Sequence, residues 1–351
     1  MAYQGLTNNA DYIAEQYLQQ DENGRDLLII MAKVTYAYDT QGRLCMANEA
    51  APITPEGEYW AAPENSSLKY APEGTFAKQA TDIALIGHAY SPAAQLTRQL
   101  DVGLQVGNLR KIVKVFGDRY WVKSEGMLGS RWSQTQAVPF SKMPLLYELA
   151  FGGEDLTPAD PEHHVHEARN PVGTGIIADK SELSKVKLPN IEAPNQLIQS
   201  VTDRPEPMGF GFIAPNWQPR MADAGTYDEA WQKTRLPQLP GDFKRRFFNA
   251  ASPGLIANGY LLGNEAITLH NLNTHGQISF YLPGHKPAIH FAFASEAAQP
   301  LAVNLDSLII NSDQQTVELL WRAEQDVYQR IYEIEAVTLT NSRVTQQQAI
   351  A

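Results

Sequence analysis

The densest group of potential metal ligands is the run of residues 160–167, DPEHHVHE. Imidazole nitrogens at His164 and His166, together with the flanking carboxylates, could chelate a divalent ion. The run matches no zincin helix pattern, H-E-x-x-H, and no separate ligand pair accompanies it. Loops of this composition are more often solvated. The sequence therefore predicts no metal site, and metal binding by the loop of His163, His164 and His166 is left open.

Acidic residues around a glycine pair form a second chemical candidate. Glu148, Glu154 and Asp155 flank Phe151-Gly152-Gly153. Two carboxylates at a suitable separation could act as general acid and base in a hydrolase or a carbohydrate-active enzyme. Nothing in their spacing requires that role, because surface charge or ion pairing is the commoner use. An enzyme that uses Glu148 and Glu154, or the histidine loop, stays an alternative, and no catalytic residue is assigned.

The sequence lacks the motifs of nucleotide binding and of serine hydrolases. Neither G-x-x-x-x-G-K-S/T nor G-x-G-x-x-G occurs, the loops whose amides hold phosphate at a helix N-terminus. The nearest approach, residues 170–175 (NPVGTG), has no lysine and no following helix pattern, so it predicts a turn. The nucleophile elbow G-x-S-x-G is also missing. We therefore expect no cofactor.

Charge and composition limit the partners and the compartment. The 351 residues carry a net charge of −11, with a pI near 5.2, which disfavours contact with phosphate backbones. The best basic run, Lys244-Arg245-Arg246, stands beside Asp242 and is typical of a solvated face or of ion-pair partners, so no nucleic-acid partner is expected. No apolar tract approaches the roughly 18 residues that would cross a bilayer, so no membrane insertion is expected. Met1 to Asn9 lack a signal-peptide pattern, and the single Cys45, expected to be buried near a strand, suits a reducing compartment. These features predict a cytoplasmic protein.

Short runs of β-branched and aromatic residues, bounded by Gly, Pro, Asp and Asn, predict that strands dominate. The first run is residues 26–38, and an antiparallel meander is predicted over 96–106, 109–116 and 119–122. Further strands are predicted at residues 258–262, 266–272, 277–282, 288–293, 301–310, 317–323 and 328–337. The predicted fold class is mainly β: antiparallel sandwich-like sheets, in one unit or two β subdomains, with one or two short helices and long Pro-rich loops.

Changes in composition divide the chain into four parts. Residues 1–154 form an N-terminal β-rich region, and residues 155–203 form a polar, Pro-rich, partly mobile connection. Residues 204–340 combine an aromatic, Pro-rich segment with a C-terminal β-rich region, and residues 341–351 form a polar tail. Within the third part, a cap at Thr226, acids in the first turn, Lys233 and a later Pro237 predict one short helix.

The main blocks of sequence that carry a resemblance are residues 81–92 (TDIALIGHAYSP), 115–121 (VFGDRYW), 139–153 (PFSKMPLLYELAFGG), 170–175 (NPVGTG), 209–220 (GFGFIAPNWQPR) and 247–251 (FFNAA). These blocks resemble one bacterial family of unknown function, encoded beside type VI secretion spike (VgrG, PAAR) and effector genes. Their order and joint presence carry the resemblance, which covers roughly residues 26–337. Ser252-Pro253-Gly254 departs from the family, which often continues there with a proline and an acidic residue.

This resemblance implies an adaptor or chaperone that binds a toxic effector, or its PAAR-bearing segment, and loads it onto the VgrG spike. It implies a protein partner, no cofactor and no catalytic residue. A structural component of the secretion apparatus is a further alternative. Such an adaptor needs an aromatic-rich contact surface with a polar rim. The residue types that anchor interfaces cluster in one stretch, and six are predicted to bind the partner, although each could fill the protein's own core instead: Phe210, Phe212, Trp217, Arg220, Tyr227 and Trp231.

Overall fold

A computed structural model describes residues 5–127 and 129–343 of the chain. The described residues contain many short strands and one α-helix, α1 (Glu229–Thr234). The strands of the first part are β1 (Leu6–Asn9), β2 (Ile13–Gln20), β3 (Asp26–Tyr38), β4 (Leu44–Met46), β5 (Glu58–Tyr59), β6 (Leu68–Tyr70), β7 (Asp82–Ile86), β8 (His88–Tyr90), β9 (Gln99–Val106), β10 (Leu109–Phe116), β11 (Tyr120–Gly126), β12 (Gly129–Gln134) and β13 (Lys142–Pro144). Those that follow are β14 (Phe151–Gly152), β15 (Glu154–Asp155), β16 (Val165–His166), β17 (Thr174–Gly175), β18 (Lys185–Lys187), β19 (Ile191–Glu192), β20 (Ala266–His270), β21 (Gln277–Tyr281), β22 (His285–Phe293), β23 (Gln299–Pro300), β24 (Asn304–Asn311), β25 (Thr316–Asp326) and β26 (Ile334–Arg343). Single 3-10 turns lie at Pro92–Ala94, Tyr147–Leu149, Pro161–His163, Arg220–Asp223, Arg245–Phe248 and Ile331–Glu333.

The largest sheet combines strands from both ends of the chain, in the order β2-β3-β25-β24-β7, with β4 also paired to β3. Strand β3 has the bounds predicted from sequence and is buried along almost its whole length. Most of its residues are apolar because both of its faces are covered, whereas a half-exposed strand alternates between apolar and polar residues. It pairs antiparallel with β25 from Leu27↔Asp326 to Ala37↔Thr316. This pairing ties the N-terminal part of the chain to the C-terminal part.

Two other sheets contribute to the same core. One has the order β19-β10-β9-β20-β21, and the other has the order β1-β26-β22-β23. Alternation directs one face of each inward, so that Leu104 on β9 and Ile289 on β22 join Ile30 on β3 in a single apolar cluster. Most pairings are antiparallel, although β7 pairs parallel with β24 and β1 with β26. The prediction of a mainly β protein with antiparallel sheets is confirmed.

Some local predictions are wrong. The hairpin of β9 and β10 forms as predicted, but β11 leaves it and pairs with β12 and β18, so there is no three-stranded meander. Residues 258–262 form no strand, because side chains take up the backbone donors: Leu261 N–H donates to Thr81 Oγ1 at 2.8 Å, and Leu262 N–H to Glu265 Oε1 at 2.6 Å. Cys45 is exposed, because β4 lies at the margin of the sheet.

The short helix forms close to its predicted position. Its N-cap is Asp228, whose Oδ1 accepts a hydrogen bond from Trp231 N–H at 2.8 Å, so the helix begins two residues later than a cap at Thr226 implies. No helix within residues 5–127 and 129–343 is long and apolar enough to cross a membrane. Of the predicted polar tail, residues 344–351 lie outside the described residues.

The segment of residues 155–203 is held by buried polar contacts rather than by long strands. Asn170 is fully buried, and its Nδ2 donates to Tyr147 O at 2.7 Å and Phe151 O at 3.0 Å. Gly173 crosses Gly152 so closely that an added Cβ would lie 2.8 Å from the Gly152 Cα and 2.4 Å from Asn170 Nδ2. The two blocks FGG and NPVGTG therefore meet in one tight crossing, which explains their glycines by packing.

A layer of buried charges attaches residues 52–82 to the largest sheet. Lys33 Nζ on β3 lies 2.8 Å from Glu73 Oε1 and 3.0 Å from Glu318 Oε2. Arg322 on β25 lies 3.2 Å from Asp306 Oδ2, and it donates to Glu73 O at 2.8 Å. Each cation is thus paired with a carboxylate, as buried charges require.

Candidate functional site: a cleft beside a helical lobe

Three of the six predicted partner-binding residues fill the protein's own core. Phe210, Phe212 and Trp217 expose 0%, 1% and 3% of their surface. Trp217 packs edge-on against Tyr147, with ring centroids 5.8 Å apart. These side chains support the fold and do not face solvent in this structure.

Arg220 is also buried, but its surroundings differ from those of the other buried cations. Its Nε donates to Phe247 O at 3.0 Å and its Nη1 to Ile213 O at 2.6 Å. Within the described chain no carboxylate forms an ion pair with Arg220. The charge of Asp82 acts to raise the pKa of Arg220, but the Asp82 carboxylate is itself engaged by Lys78, Asn249 and the Ala250 N–H. Burial lowers the pKa of Arg220 to about 10, so the guanidinium stays charged at neutral pH.

The remaining two predicted residues lie on the surface. Tyr227 and Trp231 belong to the segment of residues 219–244, which we call the helical lobe. Tyr227 is half-exposed and packs edge-on against Trp231, with centroids 4.8 Å apart. The Trp231 indole N–H donates to Gln238 O at 2.8 Å, so the ring closes the lobe on itself.

Polar contacts fix the lobe to the body of the protein. Arg235 donates to Leu239 O at 2.8 Å and to Glu22 O at 2.6 Å, in the turn between β2 and β3. The Asp242 carboxylate accepts from Thr226 N–H at 2.9 Å and from Thr226 Oγ1 at 2.7 Å. The lobe is therefore a defined surface element and presents three large apolar side chains to solvent: Met221, Tyr227 and Leu236, at 57%, 51% and 60% exposure.

A cleft of about 680 Å³ opens beside the base of the lobe. Its walls come from the start of the lobe and from residues 246–258, and its apolar lining includes Ile213, Pro219 and Ile256. Its charged lining residues are Arg220, Asp223 and Arg246. Asp223 is compensated by Lys244, whose Nζ lies at 3.4 Å, so the cleft is net positive.

The basic run Lys244-Arg245-Arg246 is divided by the fold. Lys244 pairs with Asp223, as noted, and Arg245 lies 3.0 Å from Glu324 and 3.3 Å from Glu22. The Arg246 side chain makes no hydrogen bond and no ion pair within the described part of the chain, and it lines the cleft. The sequence predicted either a solvated face or ion pairing for the run: Lys244 and Arg245 form ion pairs, and Arg246 is exposed.

Behind the cleft lies a buried polar group that the sequence analysis missed. Lys111 Nζ donates to Ser252 Oγ at 2.5 Å and to Pro253 O at 2.7 Å, and Tyr147 Oη donates to the same Ser252 Oγ at 2.7 Å. Burial lowers the pKa of Lys111 to about 7. A signal was present, since Lys111 shares the alternation of Val113 and Val115, which face the core.

Lys111 also lines a second cleft, of about 480 Å³, with Glu206 and Pro253. Ser252 itself has no exposed surface, and its hydroxyl donates to Gly209 O at 2.9 Å. The turn at Ser252-Pro253-Gly254, where the sequence departs from the family pattern, therefore separates the two clefts and is held by Lys111 and Tyr147.

The acidic residues and the histidine loop that the sequence offered as chemical candidates lie outside both clefts. Both Glu148 oxygens accept hydrogen bonds from Ser67, at 2.7 Å from its N–H and 2.8 Å from its hydroxyl. Glu154 on β15 is exposed and lies opposite His166 on β16. The ring of His164 contacts Pro158 O at 3.1 Å. Across residues 5–127 and 129–343, no group of three or more His, Cys, Asp or Glu side chains is arranged to hold a metal ion.

Comparisons with known proteins place the chain in a family. No curated protein and no solved structure matches it. A family model described as "Uncharacterized protein conserved in bacteria (DUF2169)" matches residues 23–322, which include β3, β7, β24 and most of β25 from the largest sheet, together with the lobe and both clefts. The chain belongs to the bacterial family DUF2169.

Proposed function

We propose that the protein is an adaptor, or chaperone, that binds a type VI secretion effector or its PAAR-bearing segment and loads it onto the VgrG spike. The proposal joins the sequence resemblance to one structural observation. That observation is the helical lobe, which exposes Met221, Tyr227 and Leu236 while Trp231, Arg235 and Asp242 hold its backbone in place. Exposed aromatic and aliphatic side chains on an ordered element are typical of protein contact surfaces.

Co-expression with the effector encoded by a neighbouring gene tests the proposal. The double variant Tyr227→Ala with Leu236→Ala should weaken effector binding about 30-fold or more, since interface anchors of this type contribute about 1–2 kcal/mol each. Both side chains are more than half exposed, so the melting curve should not change. Tyr281→Ala removes a more exposed tyrosine, 73% against 51% for Tyr227, from β21 and is the control.

Two results would contradict the proposal: no complex with wild-type protein, or equal capture by the lobe variant and the Tyr281→Ala control. The alternatives make different predictions. A structural component of the secretion apparatus predicts ordered homo-oligomers in light scattering. An enzyme that uses Glu148 and Glu154, or the histidine loop, predicts turnover that substitution of those residues removes.

A further inference from the structure

We infer that the cleft beside the helical lobe binds the side-chain carboxylate of an aspartate or glutamate in the client polypeptide, through Arg220 and Arg246. This inference rests on the proposed function, because it names the chemistry of the client segment. It stands on the geometry of the cleft.

Arg220 supplies a fixed donor at the base of the cleft. Its guanidinium has five N–H groups, and the described chain uses those on Nε and Nη1 for two backbone carbonyls. The side chain also lies over the Phe247 ring, with Cζ 5.0 Å from the centroid, which fixes its orientation. The Nη2 group has no hydrogen-bond partner within the described residues, and Arg220 lines the cleft.

Burying a cation without a carboxylate is costly, and the most deeply buried cations of the described chain avoid it. Arg322 and Lys33 are each more deeply buried than Arg220, and each has a carboxylate partner. An incoming carboxylate would supply the missing partner of Arg220 and would meet the exposed Arg246 at the rim of the same cleft.

The rest of the lining favours a polypeptide as the source of the carboxylate. Ile213, Pro219 and Ile256 offer apolar contacts to neighbouring side chains, and Ala222 connects the cleft to the lobe. A volume of about 680 Å³ accommodates a few side chains. A client segment with an acidic residue beside apolar ones would therefore cover cleft and lobe together.

Titration with two small probes tests the inference on the whole protein. N-acetyl-glutamate N-methylamide should shift the arginine Nε–H resonances of Arg220 and Arg246 saturably, whereas N-acetyl-glutamine N-methylamide should bind at least about 5-fold more weakly. Arg246→Ala should weaken glutamate-probe binding about 5-fold without changing the fold. Arg131→Ala, at another exposed arginine that makes no side-chain contact within the described residues, should leave binding unchanged.

Four results would overturn the inference: no saturable shift, equal binding of both probes, tighter binding of inorganic phosphate than of the glutamate probe, or unchanged binding in Arg246→Ala. The outcome is separable from that of the proposed function. Effector capture that persists without probe binding would leave the adaptor intact and remove the cleft from its contact surface. Probe binding without effector capture would retain a carboxylate site and remove the adaptor role.

Discussion

Two buried lysines illustrate how differently this molecule treats charge in two regions. Lys33, on the largest sheet, exposes 1% of its surface and contacts the carboxylates of Glu73 and Glu318. Lys111, on the five-stranded sheet, exposes 7% and contacts only the neutral oxygens of Ser252 and Pro253. Similar burial is therefore compensated by ion pairs in one region and by neutral hydrogen bonds in the other.

The difference separates architecture from a candidate binding region. Cations of the paired layer attach residues 52–82 to the sheet and face no cleft described above. The two buried cations that lack a carboxylate partner within the described residues, Lys111 and Arg220, lie on either side of the Ser252 turn, and each lines a cleft. These two cations are therefore close to each other, in the region beside the helical lobe.

The largest effect is expected from breaking the paired layer. Asp306→Asn leaves Arg322 and Lys78 without that carboxylate and should lower the free energy of unfolding by about 3–5 kcal/mol, measured by urea denaturation. Glu154→Gln, at an exposed carboxylate, is the control and should change it by less than about 0.5 kcal/mol. Equal effects of the two substitutions would show that the layer is not a major source of stability.

The same carboxylate predicts an acid limit. Burial acts to raise the pKa of Asp306, but the charges of Arg322 and Lys78 and the Lys78 N–H outweigh it, so that its pKa lies below the ordinary value. A lowered pKa contributes stability above the unfolded value of about 4, and this contribution is lost as pH falls below it. The wild-type protein should therefore lose stability below about pH 4, and Asp306→Asn should lose less.

An intermediate effect is expected at Lys111, in a higher pH window than that of Asp306. Because burial lowers its pKa to about 7, the unfolded chain binds a proton that the folded chain does not, between pH 7 and the unfolded value of about 10.4. Wild-type stability should therefore gain up to about 1.4 kcal/mol per pH unit from this group as pH rises through that window. Below pH 7 the whole gain is absent.

Lys111→Met removes this group while keeping a long, flexible side chain. We expect the variant to be more stable than wild type by about 1–3 kcal/mol at pH 7, and the advantage to vanish near pH 10. Urea unfolding of both proteins at pH 7, 8 and 9 measures the difference. A difference that does not vary with pH would mean that Lys111 is charged in the folded protein throughout this range.

The smallest effects come from two neighbouring arginines and sharpen the contrast. Arg245→Ala removes ion pairs to Glu22 and Glu324 and should cost about 1 kcal/mol of stability. Arg246→Ala removes no side-chain hydrogen bond or ion pair within the described chain and should change stability by less than about 0.5 kcal/mol. Thermal melts of the two variants in parallel measure this. A larger cost for Arg246→Ala would make it a structural residue and weaken the case for a carboxylate site.

Sequence patterns predicted the strands better than their partners. Periodicity and turn residues placed β3, β10 and the helix α1 to within a few residues, because these signals are local. The pairing of β3 with β25, and the departure of β11 to another sheet, depend on residues far apart in the chain. Local pattern carries no information about such choices.

The candidate site shows the same limit. Residue type alone marked Trp217 and Tyr227 as interface anchors, although one is a core side chain and the other lies at the surface. The two residues differ because the segment around Trp217 packs against the protein's own core, whereas the segment around Tyr227 lies at the surface. Alternation along β10 did mark Lys111 as inward-facing, and a lysine on an apolar stripe could have been singled out from sequence.

The pairing of β3 with β25 also has a consequence for synthesis. When β3 leaves the ribosome, its partner strand β25 is still nearly three hundred residues away in the sequence. Until β25 is made, β3 has only the nearby strands β2 and β4 to pair with, and its apolar faces are not yet covered. The apolar surface of the nascent N-terminal part therefore stays exposed until almost the entire polypeptide has been synthesised. A protein that we propose to shield other chains would itself need protection from aggregation during its own synthesis.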